Sequence, residues 1–379
     1  GFFTQEVDDL TSNEIVNYRD VINRWHLKKK DPSAALSEPV EPITFWVENT
    51  TPVEYREIVK AAGERWNEAF EKAGFKNAVV MKIMPEDADW DPADIRYNVI
   101  RWVSSPYPPY GAIGPSFVNP KTGQILGSDI TIEWRSGSET PFLDVTQENT
   151  LTAAQDLQQQ LMANMPSHMR KHWATCAIGT ELAQQYMAGS TLITTAGAPA
   201  GEVRKAHEQF LYYLILHEMG HTLGLNHNMK ASQMLSPAEV HNTAITQKLG
   251  LQGSVMDYPS INISSDRSKQ GDYYTMKPGP YDLWAIEFGY REFPAGQEQA
   301  ELNKILRRSH EPNLTFGNDA DDMRSPGGGI DPRVMINDMS NDMVTYGEDR
   351  IKFVNSAMSK LVSKSRSSTL NRHCGGWRF

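Results

Sequence analysis

Cysteine is nearly absent: the 379 residues hold two, Cys176 and Cys374. Two thiols define no disulfide framework. They pair with each other or stay free, and neither case sets a redox compartment. No run of eighteen apolar residues occurs, which excludes a transmembrane helix. No basic stripe is visible and the net charge is −10, which argues against a nucleic-acid partner. The acidic balance reads as a solubility feature. The chain opens Gly1-Phe2-Phe3, without an initiator Met or a charged-then-apolar export signal. It therefore reads as a processed piece of a longer protein, with any signal or pro-segment upstream. The end, Cys374 to Phe379, reads as a truncation point. What is present is 39% apolar residues, enough for one large domain or two smaller ones.

The most informative stretch is His217-Glu218-Met219-Gly220-His221-Thr222-Leu223-Gly224-Leu225-Asn226-His227, or H-E-x-x-H-x-x-G-x-x-H. His217 and His221 are four apart, so a helix projects both imidazoles from one face toward a single metal ion. Glu218 adjoins the first ligand and can reach a water at the metal without being a ligand. Gly224 can take positive φ, end the helix and turn the chain back. That turn lets His227 supply a third nitrogen. Three His plus water is an open catalytic zinc site, not a closed structural one. The plain alternative is a buried helix whose histidines are satisfied polar groups. The apolar run Phe210 to Leu216 suits a helix beneath an active site. His168, His172 and His207 lie nearby in sequence but read as surface or core histidines, because three nitrogens are already assigned.

About thirty residues later comes Gly253-Ser254-Val255-Met256-Asp257-Tyr258-Pro259. With the zinc motif, this stretch resembles the metzincins, whose long motif is followed by a tight turn with a methionine beneath the metal. Met256 fits that turn. Tyr258 matches the tyrosine that astacin-like and serralysin-like metzincins place near or on the zinc. The residue after the third His sorts well-studied subfamilies, commonly Asp, Ser, Glu or Pro; here it is Asn228. The continuation His227-Asn228-Met229-Lys230-Ala231-Ser232 is similar to a less characterised group of large bacterial zinc-dependent metalloproteases. So are Leu36 to Val40, Asp94 to Tyr97 and Gly279 to Asp282.

The resemblance implies an α+β fold: a twisted, mostly parallel sheet with an antiparallel edge strand over a zinc-binding helix, plus a helical C-terminal region. It implies a zinc endopeptidase with Glu218 as general base, one catalytic Zn²⁺, and export from the cytoplasm. The substrate is expected as an extended peptide along the edge strand, at 125–134 or its neighbour. Three alternatives stand beside it. One is a zinc amidase acting on a non-peptide substrate. Another is a latent enzyme covered by an upstream segment or an insertion, with Cys176 as a thiolate plug. The third is a non-catalytic surface protein that retains the site.

Along the chain, 1–40 reads as an arm packed on the main domain. Residues 41–293 read as the catalytic domain, with a helical insertion at 135–200, and 294–379 as a mainly helical subdomain. Strands are expected at 42–47, 78–83, 97–103 and 125–134. A helix from Pro52 to Ala73 is expected to be capped by Thr51 and ended by Gly74. In the insertion, Thr150 to Met165 and Ala174 to Ala188 look helical, and Thr194 to Gly201 looks like a small-residue loop. Further helices are expected at 281–289, 298–309 and 338–365. The acidic run Asn318-Asp319-Ala320-Asp321-Asp322 reads as a solvated loop or, less simply, a Ca²⁺ site; it lacks the glycine and terminal Glu of an EF-hand loop.

Overall fold

The computed structural model describes residues 1–104, 112–133, 178–323 and 329–368. The chain begins with an antiparallel ribbon, β1 (Thr4–Asp8) against β2 (Tyr18–Ile22). The expected arm is thus partly ordered by pairing. Then come β3 (Ile43–Val47), α1 (Val53–Glu64), α2 (Asn67–Lys72), β4 (Val79–Ile83) and β5 (Asn98–Val103). The short strands β6 (Ala112–Ile113), β7 (Ser116–Val118), β8 (Ile125–Ser128) and β9 (Ile130–Glu133) follow.

The main sheet has the order β4-β3-β5-β9-β6. Its first four strands run parallel, and β6 pairs antiparallel with β9 at the edge. The fold is α+β, with the antiparallel edge strand that the sequence led one to expect. The rim is the neighbour of 125–134, not that segment itself: β9 is flanked on both sides and β6 is outermost. The expected single strand 125–134 is split. Asp129 interrupts it, and its carboxylate accepts Val99 N–H at 2.9 Å. The first half, β8, pairs with β7 in a separate ribbon.

The single helix expected at 52–73 is two, broken at Arg65–Trp66. Pro52, not Thr51, holds the N-cap position, and Thr51 Oγ1 has no hydrogen-bond partner among the described residues. Gly74 does end the helical stretch, at φ +91°. The buried face of this pair comprises Val59, Ala62, Trp66, Ala69, Phe70 and Ala73. Val53 lies off it and is exposed. Burial of Ile43, Phe45 and Val47 along β3 gives the period-two pattern of a strand facing a helical layer.

Helix α3 (Ile178–Ala196) lies within the expected insertion, and α4 (Ala200–Thr222) is the motif helix. The loop expected at 194–201 shrinks to three residues, 197–199. This short link folds α3 back along α4, where Tyr186 stacks on Phe210 at 4.9 Å. The helix expected at 150–165, both cysteines, His168 and His172 lie outside the described residues. After α5 (Thr243–Leu249) come α6 (Pro280–Tyr290), α7 (Glu298–Leu306) and α8 (Met343–Ser368). No described helix is long and apolar enough to cross a membrane. One core joins the sheet, α1, α2, α4 and α6.

Candidate metal centre

Helix α4 ends at the motif, and its end is built from residue type upward. Leu225 N–H donates to Gly220 C=O at 3.0 Å, and Gly224 N–H to His221 C=O at 2.9 Å. This paired closure is the Schellman motif, with Gly224 at φ +91°. A side chain is barred there: a β-carbon on Gly224 would lie 2.0 Å from the Asn23 carbonyl oxygen. The last helical carbonyls find side-chain donors, Trp25 Nε1–H on Thr222 at 2.7 Å and Tyr290 O–H on Leu223 at 2.8 Å. The N-terminal segment closes the turn from outside, with Phe3 N–H on Gly224 C=O at 2.8 Å.

The turn brings His227 back to His217 and His221. His221 Nε2 lies 3.0 Å from His217 Nε2 and 3.0 Å from His227 Nε2. All three side chains are buried. Among the described residues this is the one group of three His, Cys, Asp or Glu able to hold a metal ion. Each ring is oriented by a hydrogen bond from Nδ1–H. His217 donates to Val255 C=O at 2.7 Å, His221 to Leu225 C=O at 2.9 Å, and His227 to Asp319 Oδ2 at 2.8 Å. That fixes the tautomers, leaving three Nε2 lone pairs aimed at one point.

Burial, then the neighbouring imidazoles, pushes His217 well below its ordinary range and His221 down to about 3. Neutral imidazoles with converging lone pairs repel one another unless a cation lies between them. The donor set suits zinc: two nitrogens on a tetrahedral zinc stand about 3.3 Å apart, close to the spacing seen here.

Glu218 is wholly buried, and neither carboxylate oxygen has a hydrogen-bond partner among the described residues. Burial raises its pKa to about 8. A carboxylate left so bare calls for a cation or water beside it. Gly114, directly after β6, lies against it: a β-carbon on Gly114 would stand 2.8 Å from the Glu218 carbonyl and 3.3 Å from Oε2. The rim strand therefore ends over this carboxylate.

Below the centre, Met256 is fully buried and packs under Gly220. Its turn is braced from two sides. Val255 N–H and Ser254 O–H donate to the buried Asp282 carboxylate, and Tyr213 O–H donates to Val255 C=O at 3.0 Å. The same carbonyl takes the His217 proton, so Asp282 supports the His217 ring through the turn. Tyr258 Oη lies 2.8 Å from His227 Nε2, on the metal side of that ring.

Four expected site residues, His217, His221, His227 and Tyr258, are thus brought together, with Gly224 at the turn and Met256 under the helix; Glu218 is buried on the same helix and meets Gly114. His207 is elsewhere: buried, with Nδ1 at 3.1 Å from Tyr186 Oη. Gly114, Gly220, Asp282 and Asp319 were not singled out from the sequence as site residues. The acidic run 318–322 is not a solvated loop throughout: Asp319 reaches His227 and Asp322 is buried.

Comparison with known families gives two overlapping matches. A family model described as Met-zincin matches residues 201–372, and one described as matrixin matches residues 115–252. The stretch common to both contains the whole 217–227 motif. No curated protein and no solved structure matches the chain.

Proposed function

Since this chain belongs to the metzincin clan of zinc metalloproteases, we propose that it is a zinc-dependent endopeptidase with Glu218 as general base. One observation carries the reading: three Nε2 atoms converge, with neighbours 3.0 Å apart, and the residue next to the first of these His carries a buried carboxylate with no hydrogen-bond partner among the described residues. His217, His221 and His227 would hold the ion. Bound there, zinc would supply Lewis acidity, acidifying a water and polarising the scissile carbonyl.

The rest is the work of this chain's own side chains. Glu218 takes the proton of the attacking water and passes it to the leaving amine. Burial disfavours its charged form, which makes the neutral acid that passes the proton on accessible. Tyr258 Oη donates a hydrogen bond to the oxyanion that forms at the carbonyl. Met256 supports the ligands from below and does no chemistry. An extended substrate lies beside β6, near Ile113 and Gly114, where the rim meets Glu218. The same reading places the enzyme outside the cytoplasm, as the family resemblance implies.

The test is cleavage of a denatured, quenched-fluorescent protein by this chain and by Glu218→Ala, with zinc removed by chelator and then restored. Activity that needs both zinc and Glu218 is the expected result. Undiminished cleavage by Glu218→Ala, or cleavage that survives zinc removal, would overturn the assignment. Tight zinc binding without cleavage of any protein would favour a covered or purely binding site.

A further inference from the structure

The three ligands are not held alike. His217 and His221 donate their Nδ1 protons to neutral backbone carbonyls, Val255 and Leu225. His227 donates to a carboxylate, Asp319, 92 residues further along the chain. The first two ligands are also set in place by α4, whereas His227 stands on the loop beyond it. The ligand with the least support from secondary structure has the one charged acceptor.

Asp319 is delivered to that position by Asn228. This side chain is fully buried and uses both of its faces. Its Nδ2–H donates to Thr315 C=O at 2.9 Å, and its Oδ1 accepts Gly317 N–H at 3.1 Å. Met229 N–H adds a bond to Gly317 C=O at 2.7 Å. Asn228 N–H itself donates to Met256 C=O at 2.9 Å. One residue thus ties the third ligand to the methionine turn and to the segment 315–317. Two residues beyond that segment, a turn presents Asp319, with Asp321 N–H on Asn318 C=O at 3.0 Å. The far side of the loop is pinned as well, by Lys230 Nζ on Asp331 at 2.8 Å and Met335 N–H on Met229 C=O at 3.2 Å. An aspartate at 228 could not do this work, because a carboxylate has no donor for the Thr315 carbonyl.

We propose that Asp319 is the positioning residue of the third metal ligand, placed there by the Asn228 clamp. It fixes the His227 ring so that Nε2 faces the ion, and its charge makes that nitrogen a stronger donor. This rests on the metal-centre reading above. It extends the centre to residues beyond the matrixin match, which ends at 252.

The experiment compares the parent chain with Asp319→Ala, Asp319→Asn and Asn228→Asp. Zinc affinity is read by competition with a chelator. The cobalt-substituted proteins are read by visible absorption, and fold is controlled by the melting of the metal-free chains. Asp319→Ala should bind zinc about 10–100-fold more weakly. Its cobalt bands should change while the metal-free melt matches the parent. Asp319→Asn keeps an acceptor and loses the charge, so it should fall between. Asn228→Asp should reproduce the cobalt change with Asp319 still present.

Zinc affinity within twofold of the parent and unaltered cobalt bands in Asp319→Ala would overturn the proposal. Where that variant does not fold, the same result in the isosteric Asp319→Asn would do so. A zinc loss that only tracks a lower metal-free melt would also overturn it, since Asp319 would then be a general fold contact. A parent chain that binds no zinc, or binds it equally well as His217→Ala, would remove the metal-centre reading itself.

Discussion

Met256 lies directly beneath Gly220. A β-carbon on Gly220 would stand 2.3 Å from the Met256 sulfur and 3.0 Å from the Trp66 ring. Gly220 is one of the two unspecified positions inside H-E-x-x-H, yet packing leaves it no choice of side chain. Gly220→Ala should lower stability by about 1–3 kcal/mol through overpacking, despite the better helix propensity of alanine. Denaturant melts of the metal-free chain measure this. Combining it with Met256→Ala should recover part of the loss; additive losses would show that the two residues do not share the space.

The rim strand makes a second close approach. Gly114→Val would push a branched side chain into the Glu218 backbone and carboxylate, 2.8 and 3.3 Å from the first added carbon. The expected result is a fall of about 10–100-fold in kcat/KM, since small displacements of a reacting group are costly. Zinc affinity should be unchanged, because the nearest atoms to the added carbon belong to Glu218 and Thr222, not to the three imidazoles. Equal losses of zinc and activity would place Gly114 among the structural supports.

Tyr258→Phe removes only the hydroxyl 2.8 Å from His227 Nε2. If the hydroxyl serves the oxyanion, kcat should fall about 100-fold while KM and zinc content hold. Loss of zinc along with the hydroxyl would show that the oxygen is instead a ligand.

A buried pair of acids gives a pH prediction away from the metal. Burial, assisted by the nearby Asp322 carboxylate, pushes Asp338 up to about 7, against hydrogen bonds from Ser232 and Gln233. Asp257 beside it is fully buried and also lies well above the usual carboxylate range, through burial and then Asp338. Between the unfolded pKa of about 4 and the folded Asp338 value of about 7, the folded chain binds more protons, so the charge on this acid reduces stability as pH rises. Asp338→Asn removes one titrating group. The variant should gain about 4 kcal/mol over the parent at pH 8 and little at pH 4. Urea melts across that range test it, and a constant difference at every pH would refute it.

The His triad was readable because its geometry is local: eleven residues on one helix and one turn place the three imidazoles and the proposed general base by spacing alone. Met256 and Tyr258 were readable only in combination with that motif, since a buried methionine or tyrosine has no signature of its own. Asp319 was hidden for the opposite reason. Its partner is 92 residues away, and an acidic run with asparagine and alanine looks like any solvated loop. The strands at 42–47 and 78–83 followed from apolar pattern, whereas the ribbon formed by Thr4–Asp8 depends on a partner strand that its mixed polar sequence does not announce. Thr51 shows the limit of capping rules: the proline that should follow the cap took its place.

The closed helix end has one more consequence. The ligands span only eleven residues, but the groups that hold them come from Phe3, Asn23, Trp25, Val255, Tyr290 and Asp319. A ribosome that has just finished His227 has made every ligand and only the first part of the scaffold. On the proposed metal-centre reading, the scaffold around the three imidazoles is therefore complete only once the chain has been made as far as Asp319.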